Sequence, residues 1–233
     1  MEGAKPHSGH PDMKLRIEKQ RLRAMTALEV LVVVVCVLVL IAMLLPILAS
    51  SRRRASRINC VSNLKQVNLS LRIWAGDNNN QYPMSVSITN GGGMEAINAG
   101  NPDRCFQVIS NEICTTMIFV CPCDPDRTFA TNFDELNGSH ISYFLSVDAR
   151  ETYPQMILDG DDNFAVNGKP VNSGILDLSS NPGIAWSGNR HRYVGNIGLA
   201  DGSVEQQSLT GLQNTIQYST NGTPFPTCRI AIP

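Results

Sequence analysis

Hydrophobic positions along this chain change their spacing once, early. Across residues 28–49 nearly every position is apolar; the run holds one charge, Glu29, and one proline, Pro46. No face of it is polar, so it does not read as a half-buried core helix. At about 1.5 Å per residue it reaches roughly 30 Å, the thickness of a bilayer core, and predicts a membrane-spanning helix. Beyond Pro46 the continuous run gives way to a stripe in which Ile58, Val61, Leu64, Val67, Leu71 and Trp74 recur every three or four residues. Together the two patterns predict one helix over 26–75, about 75 Å long, half in lipid and half a spine against a globular domain. Gly76-Asp77-Asn78-Asn79-Asn80 ends it.

The rest of the chain alternates short apolar runs with turn residues. Segments 117–121, 141–147, 156–158, 194–200 and 203–207 predict strands, and 104–113 a short helix. Gly91-Gly92-Gly93 reads as a flexible loop. Asp201-Gly202 reads as a type I′ hairpin turn, which needs positive φ at both central residues. The expected fold is α+β: a long N-terminal membrane-spanning helix packed on a C-terminal antiparallel β-rich domain. Its expected divisions are a basic leader over 1–24, the transmembrane helix over 25–49, an amphipathic continuation over 50–76 and the globular domain over 77–233.

Charge adds an orientation. The net charge of −1 offers no global basic field, so no nucleic-acid partner is expected. Lys14, Arg16, Lys19, Arg21 and Arg23 precede the apolar run, and Arg52, Arg53, Arg54 and Arg57 follow it. The positive-inside rule is nearly balanced by these, and the leading cluster tips it toward a cytoplasmic N-terminus. Six of the seven cysteines lie outside the apolar run, an even number that suits disulfides without requiring them. Cys121-Pro-Cys123 is too tight for a Cys-x-x-Cys redox pair, and the four histidines complete no zinc spacing.

Candidate chemistry is sparse. Asp159, Asp161 and Asn163 cluster oxygen ligands of the kind calcium takes, but no twelve-residue loop with a closing glutamate surrounds them, so a solvated turn is expected there and no cofactor. His191 reads as a packed histidine donating one hydrogen bond ahead of a strand, with a ligand or switch role as the alternative. No nucleophile elbow, metalloprotease helix or phosphate loop is present in the sequence, and the expectation is a non-enzyme.

Glu29 remains to be explained, since a carboxylate inside an apolar run is costly and wants a partner. The stretch Ala24-Met25-Thr26-Ala27-Leu28-Glu29, after a basic leader and before a Val/Leu run, resembles the prepilin-type cleavage and methylation signal of type IV pilins and type II secretion pseudopilins. The resemblance implies a cut by prepilin peptidase after Ala24 and N-methylation of Met25. Glu29 then becomes the fifth residue and Pro46 the twenty-second, where this family carries its glutamate and a helix-kinking proline. The family usually has glycine before the cut and phenylalanine after it, where this chain has Ala24 and Met25. The segment 60–83 and the H-x9-DG motif formed by His191, Asp201 and Gly202 resemble a bacterial subset of the same family. The family implies assembly with like or related pilin subunits, Glu29 facing the α-amine of a neighbour's Met25. It also implies an inner-membrane, single-pass location with a periplasmic domain. Two other readings stay open: a monomeric membrane-anchored cell-envelope binding protein, and a secreted enzyme cut near Ala49-Ser50.

Overall fold

The computed structural model describes residues 26–233, apart from the side chains at 46, 47, 49, 50, 52 and 53. Helix α1 runs unbroken over Ala27–Asp77. Its first part belongs to one compact unit ending at Leu48, and residues from Ala49 onward form a second. In the first unit, Ala27–Leu45 is long and apolar enough to cross a membrane and buries none of its residues. The expected kink at Pro46 falls on a side chain outside the described ones; α1 is helical through that position.

In the second unit the stripe does what its spacing implies. Cys60, Leu64, Val67, Leu71 and Ala75 are fully buried, while Ile58 is exposed and lies off the packed face. They pack on one side of a six-stranded antiparallel sheet. Its strands are β1 (Tyr143–Ser146), β2 (Ile157–Asp161), β5 (Gly174–Asp177), β7 (Gly195–Leu199), β8 (Val204–Gln207) and β9 (Arg229–Ile232). They are ordered β5-β9-β1-β2-β7-β8. A second sheet is built from β3 (Phe164–Val166), β4 (Lys169–Pro170) and β6 (Ile184–Trp186), in the order β4-β3-β6. It covers the opposite face of the large sheet together with α4 (Leu209–Thr220). Alternation sorts the side chains: Tyr143, Leu145 and Ala231 face α1, while Phe144, Ile230 and Ile232 face the other core. The central strands β9, β1, β2 and β7 are therefore buried on both faces, and the layers are helix, sheet, then helix with small sheet.

One irregularity in the large sheet sets the direction of its buried acids. In β2, Ile157 pairs with Leu199 and Asp159 with the adjacent Gly198, so Leu158 is an extra residue, a β-bulge. The bulge turns Leu158 and Asp159 to the α1 side together and brings Asp161 there as well, with Gly160 against the Phe144 ring.

Several local expectations change. The strand expected over 117–121 is a 3-10 turn, Thr116–Phe119, opened by the Thr115 side chain accepting from the Met117 N–H. The helix expected over 104–113 is split into α3 (Asp103–Val108) and a 3-10 turn at Ser110–Glu112; α2 (Met94–Asn98) precedes them. Gly91-Gly92-Gly93 forms packed turns: Gly91 takes φ +88°, and Gly92 and Gly93 leave no room for a Cβ against Val86 and Cys105. At Asp201-Gly202 only Gly202 has positive φ, and its N–H donates to the Leu199 carbonyl at 3.0 Å, so the turn is not type I′.

Leu64 sits at the centre of the α1 contact, fully buried. Leu64→Ala is expected to lower the stability of the full chain by about 2–5 kcal/mol, read from the intrinsic fluorescence of Trp74 and Trp186 during denaturant unfolding.

Candidate functional site

Ala24 and Met25 lie outside the described residues. Glu29 lies within them and has a local role beyond the one its sequence context suggests. The Thr26 backbone N–H and hydroxyl both donate to Glu29 Oε2, at 2.9 and 3.2 Å, and the Glu29 N–H donates to the Thr26 hydroxyl at 3.3 Å. This is a capping box, Thr-x-x-Glu, giving partners to the Thr26 and Glu29 N–H groups at the start of α1. Its sequence signal is Thr26-Ala-Leu-Glu29. Both bonds to the carboxylate use Oε2, so neither engages Oε1.

The second candidate lies beneath the sheet. Cys60 from α1, Cys121 after the 3-10 turn, Asp161 at the end of β2 and His191 before β7 converge with all four side chains buried. Their donor atoms lie within 4.8 Å of one another. Cys60 Sγ contacts Asp161 Oδ1 at 3.2 Å, and His191 Nε2 lies 3.3 Å from both Cys121 Sγ and Asp161 Oδ2. Each element contributes for a local reason. Cys60 is one turn before Leu64 on the buried stripe, the bulge aims Asp161, and Pro122 breaks the chain just after Cys121.

A surrounding shell fixes these groups. Asn196 donates to Asp161 Oδ2 from both its backbone N–H and its side-chain amide, each at 2.8 Å. The Tyr143 hydroxyl lies 3.6 Å from Cys60 Sγ, and the Cys123 N–H donates to Cys121 Sγ at 3.4 Å. The His191 Nδ1 finds no hydrogen-bond partner, so the ring's polar engagement is all through Nε2. The environment separates the two thiols. The hydrogen bond to Cys121, burial and the Asp161 charge push the Cys60 thiol up. The Cys60 hydrogen bond, helped by His191, brings Cys121 down to about 6 against burial. Burial works against a charged His191, but Asp161 and Cys121 outweigh it and raise it to about 9.

Beside this cluster the same three segments are tied again by charge. Arg190 Nη2 reaches Asp124 at 3.0 Å and Asp162 at 2.5 Å, and Arg127 reaches the same two carboxylates at 3.1 and 2.6 Å. Asp124, Asp162 and Arg190 are each one to three residues from Cys121, Asp161 and His191.

Neither the expected solvated turn nor its alternative, a cation loop, is formed at Asp159, Asp161 and Asn163. Asp159 and Asp161 are buried within β2 instead of a solvated turn, and the three oxygen side chains go to different partners. Asp159 accepts from Asn68 at 3.1 Å, and burial raises it to about 8. Asn163 donates to the carbonyls of Ser187 and Val194, holding the loop that carries His191. Only Asp161 joins a ligand-rich group, and that group contains sulfur and nitrogen. His191 differs from its expected single-donor role by facing two candidate ligands at once. Cys60 and Cys121 are neighbours of His191 that the sequence does not announce; no spacing signal links positions 60, 121, 161 and 191.

The H-x9-DG motif is divided between two ends of β7. Arg57 donates to the His191 carbonyl at 3.1 Å and Arg72 to the Asp201 carbonyl at 2.9 Å. Asn68 donates to the Leu199 carbonyl between them. Fifteen residues of helix rise about 22 Å, so the motif lies along α1 and is fastened to it at both ends. The Asp201 side chain accepts from the Ser203 N–H at 2.8 Å and shapes the turn. No family model, curated protein or solved structure matches the chain.

Proposed function

We propose that this chain is a pilin-like or pseudopilin structural subunit. Prepilin peptidase cuts it after Ala24 and Met25 is N-methylated. The subunit sits in the bacterial inner membrane with its N-terminus cytoplasmic and its domain periplasmic. It assembles through α1 with like subunits into a type IV pilus-like or type II secretion filament. The observation that carries this reading is the division of one continuous helix. Residues 27–45 are apolar and wholly exposed, whereas Cys60 to Ala75 on the same helix supply a face of the domain core. A helix exposed for that length needs lipid or other helices around it. Arg57 and Arg72, donating to the H-x9-DG segment, make the second half of α1 inseparable from the domain it would carry.

The test is the mass and N-terminal sequence of the mature protein from membranes. The expected result is a chain beginning at N-methylated Met25. An intact Met1, or an N-terminus near Ser50, overturns the reading. The capping box favours one rival, a monomeric membrane-anchored binding protein, because it gives Glu29 a partner without a neighbouring subunit. That reading expects no homo-oligomers when the membrane protein is cross-linked and captured.

A further inference from the structure

We propose that Cys60, Cys121, Asp161 and His191 form a closed four-ligand site for one zinc ion, which staples helix α1 to the globular domain. The donor set is two thiols, one imidazole and one carboxylate, the mixture that borderline-soft divalent cations select and that calcium or magnesium do not. The geometry fits four-coordination. A tetrahedral site with metal–ligand distances of 2.0–2.3 Å has ligand–ligand edges of about 3.3–3.8 Å. The Cys121 Sγ–His191 Nε2 edge measures 3.3 Å, Asp161 lies 3.2 Å from Cys60 Sγ through Oδ1 and 3.3 Å from His191 Nε2 through Oδ2, and with one ligand atom per residue every edge lies within 4.8 Å.

A second coordination layer is present for Asp161 and Cys121, while His191 Nδ1 has no partner. Metal-binding carboxylates are themselves held by hydrogen bonds, and Asn196 holds Asp161 from two donors. The Cys123 N–H donates to Cys121 Sγ, which favours that sulfur as a thiolate. On binding, the cation displaces to solvent the remaining thiol protons and the proton on His191 Nε2, and takes the neutral imidazole through Nε2 with the ring's one proton on Nδ1. Two thiolates and one carboxylate against +2 leave one negative charge inside, and the adjacent Arg190 is already committed to Asp124 and Asp162. All four ligands are buried, so no coordination position is open to solvent and the site is structural. It joins four segments that are separated by at least 30 residues in the chain, one of them the spine helix.

The competing use of the two sulfurs is a Cys60–Cys121 disulfide; all seven cysteines are free in this structure. The full chain in detergent, purified under reducing conditions, is titrated with zinc and with cobalt(II) and assayed for bound metal. Expected are one zinc per chain and, with cobalt, a thiolate-to-metal charge-transfer band with the intense visible absorption of a tetrahedral site. Cys121→Ser and His191→Ala should each lose both signals. Cys114→Ser, an exposed cysteine outside the set, should keep them. Asn196→Ala should bind zinc about 10–100-fold more weakly. The wild-type titration decides the matter even where a ligand variant fails to fold. A reduced wild-type chain that takes up no cobalt, or a metal retained unchanged in Cys121→Ser, overturns the proposal. So does a Cys60–Cys121 disulfide in the chain isolated from membranes.

Discussion

Glu29→Gln is expected to leave membrane insertion intact and to reduce incorporation into filaments by about a hundredfold or more. Glutamine can still accept from the Thr26 N–H and hydroxyl, so the capping box survives and the start of α1 is preserved. What is lost is the negative charge. In the proposed filament that charge meets the α-amine of a neighbour's Met25 in a low-dielectric surround, and its removal leaves a buried cation unpaired. An uncompensated buried charge costs about 3–5 kcal/mol, which sets the scale. Thr26→Ala makes the opposite cut: it keeps the carboxylate and removes only a cap, at about 1 kcal/mol, and should assemble nearly normally. The measurement is the amount of each variant in sheared filaments beside its amount in membranes. Normal incorporation of Glu29→Gln would end the charge-pairing argument and leave Glu29 as a helix cap.

Arg190→Met should lower the stability of the globular domain by about 3–5 kcal/mol. Arg190 lies between the Asp124 and Asp162 side chains, both essentially fully buried, and also donates to the Ser142 carbonyl at 2.9 Å. Burial already pushes Asp162 up even with two arginines beside it. Removing one leaves two carboxylates to the more exposed Arg127. In the variant, folding then favours proton uptake by these carboxylates, so the folded state binds more protons than the unfolded one. Its stability should therefore recover in part as pH falls from neutrality toward the range in which Asp162 protonates, narrowing the gap to the parent chain. Tryptophan-monitored unfolding of both chains at several pH values checks this. A loss below about 1 kcal/mol at neutral pH would mean that the pair is no stronger than a surface salt bridge.

The two halves of α1 were legible because a helix writes its surroundings locally. An uninterrupted apolar run and a stripe of period 3.6 require only near neighbours to be read. The short strands were legible in part, since β7 and β8 carry alternation and a turn residue between them. Met117 to Cys121 carries the same residue types, and there Thr115 and Pro122 favour a 3-10 turn over a ladder. The Asp159-Gly-Asp161 stretch departs from expectation for a different reason. Aspartates flanking a glycine favour a turn by propensity, and tertiary burial overrode that preference by pairing β2 with β1 and β7.

The sequence by itself determined an apolar N-terminal helix, its continuation as an amphipathic spine, and an α+β domain after it. These follow from residues that are close in the chain. Only the tertiary structure decided that Cys60, Cys121, Asp161 and His191 meet. It also decided that arginines on α1 grip both ends of the H-x9-DG motif. Such contacts depend on the register of α1 across the sheet and on one extra residue, Leu158, in β2. A bulge reverses which side chains face the helix, and neither propensity nor periodicity within β2 encodes where its partner strand will place it.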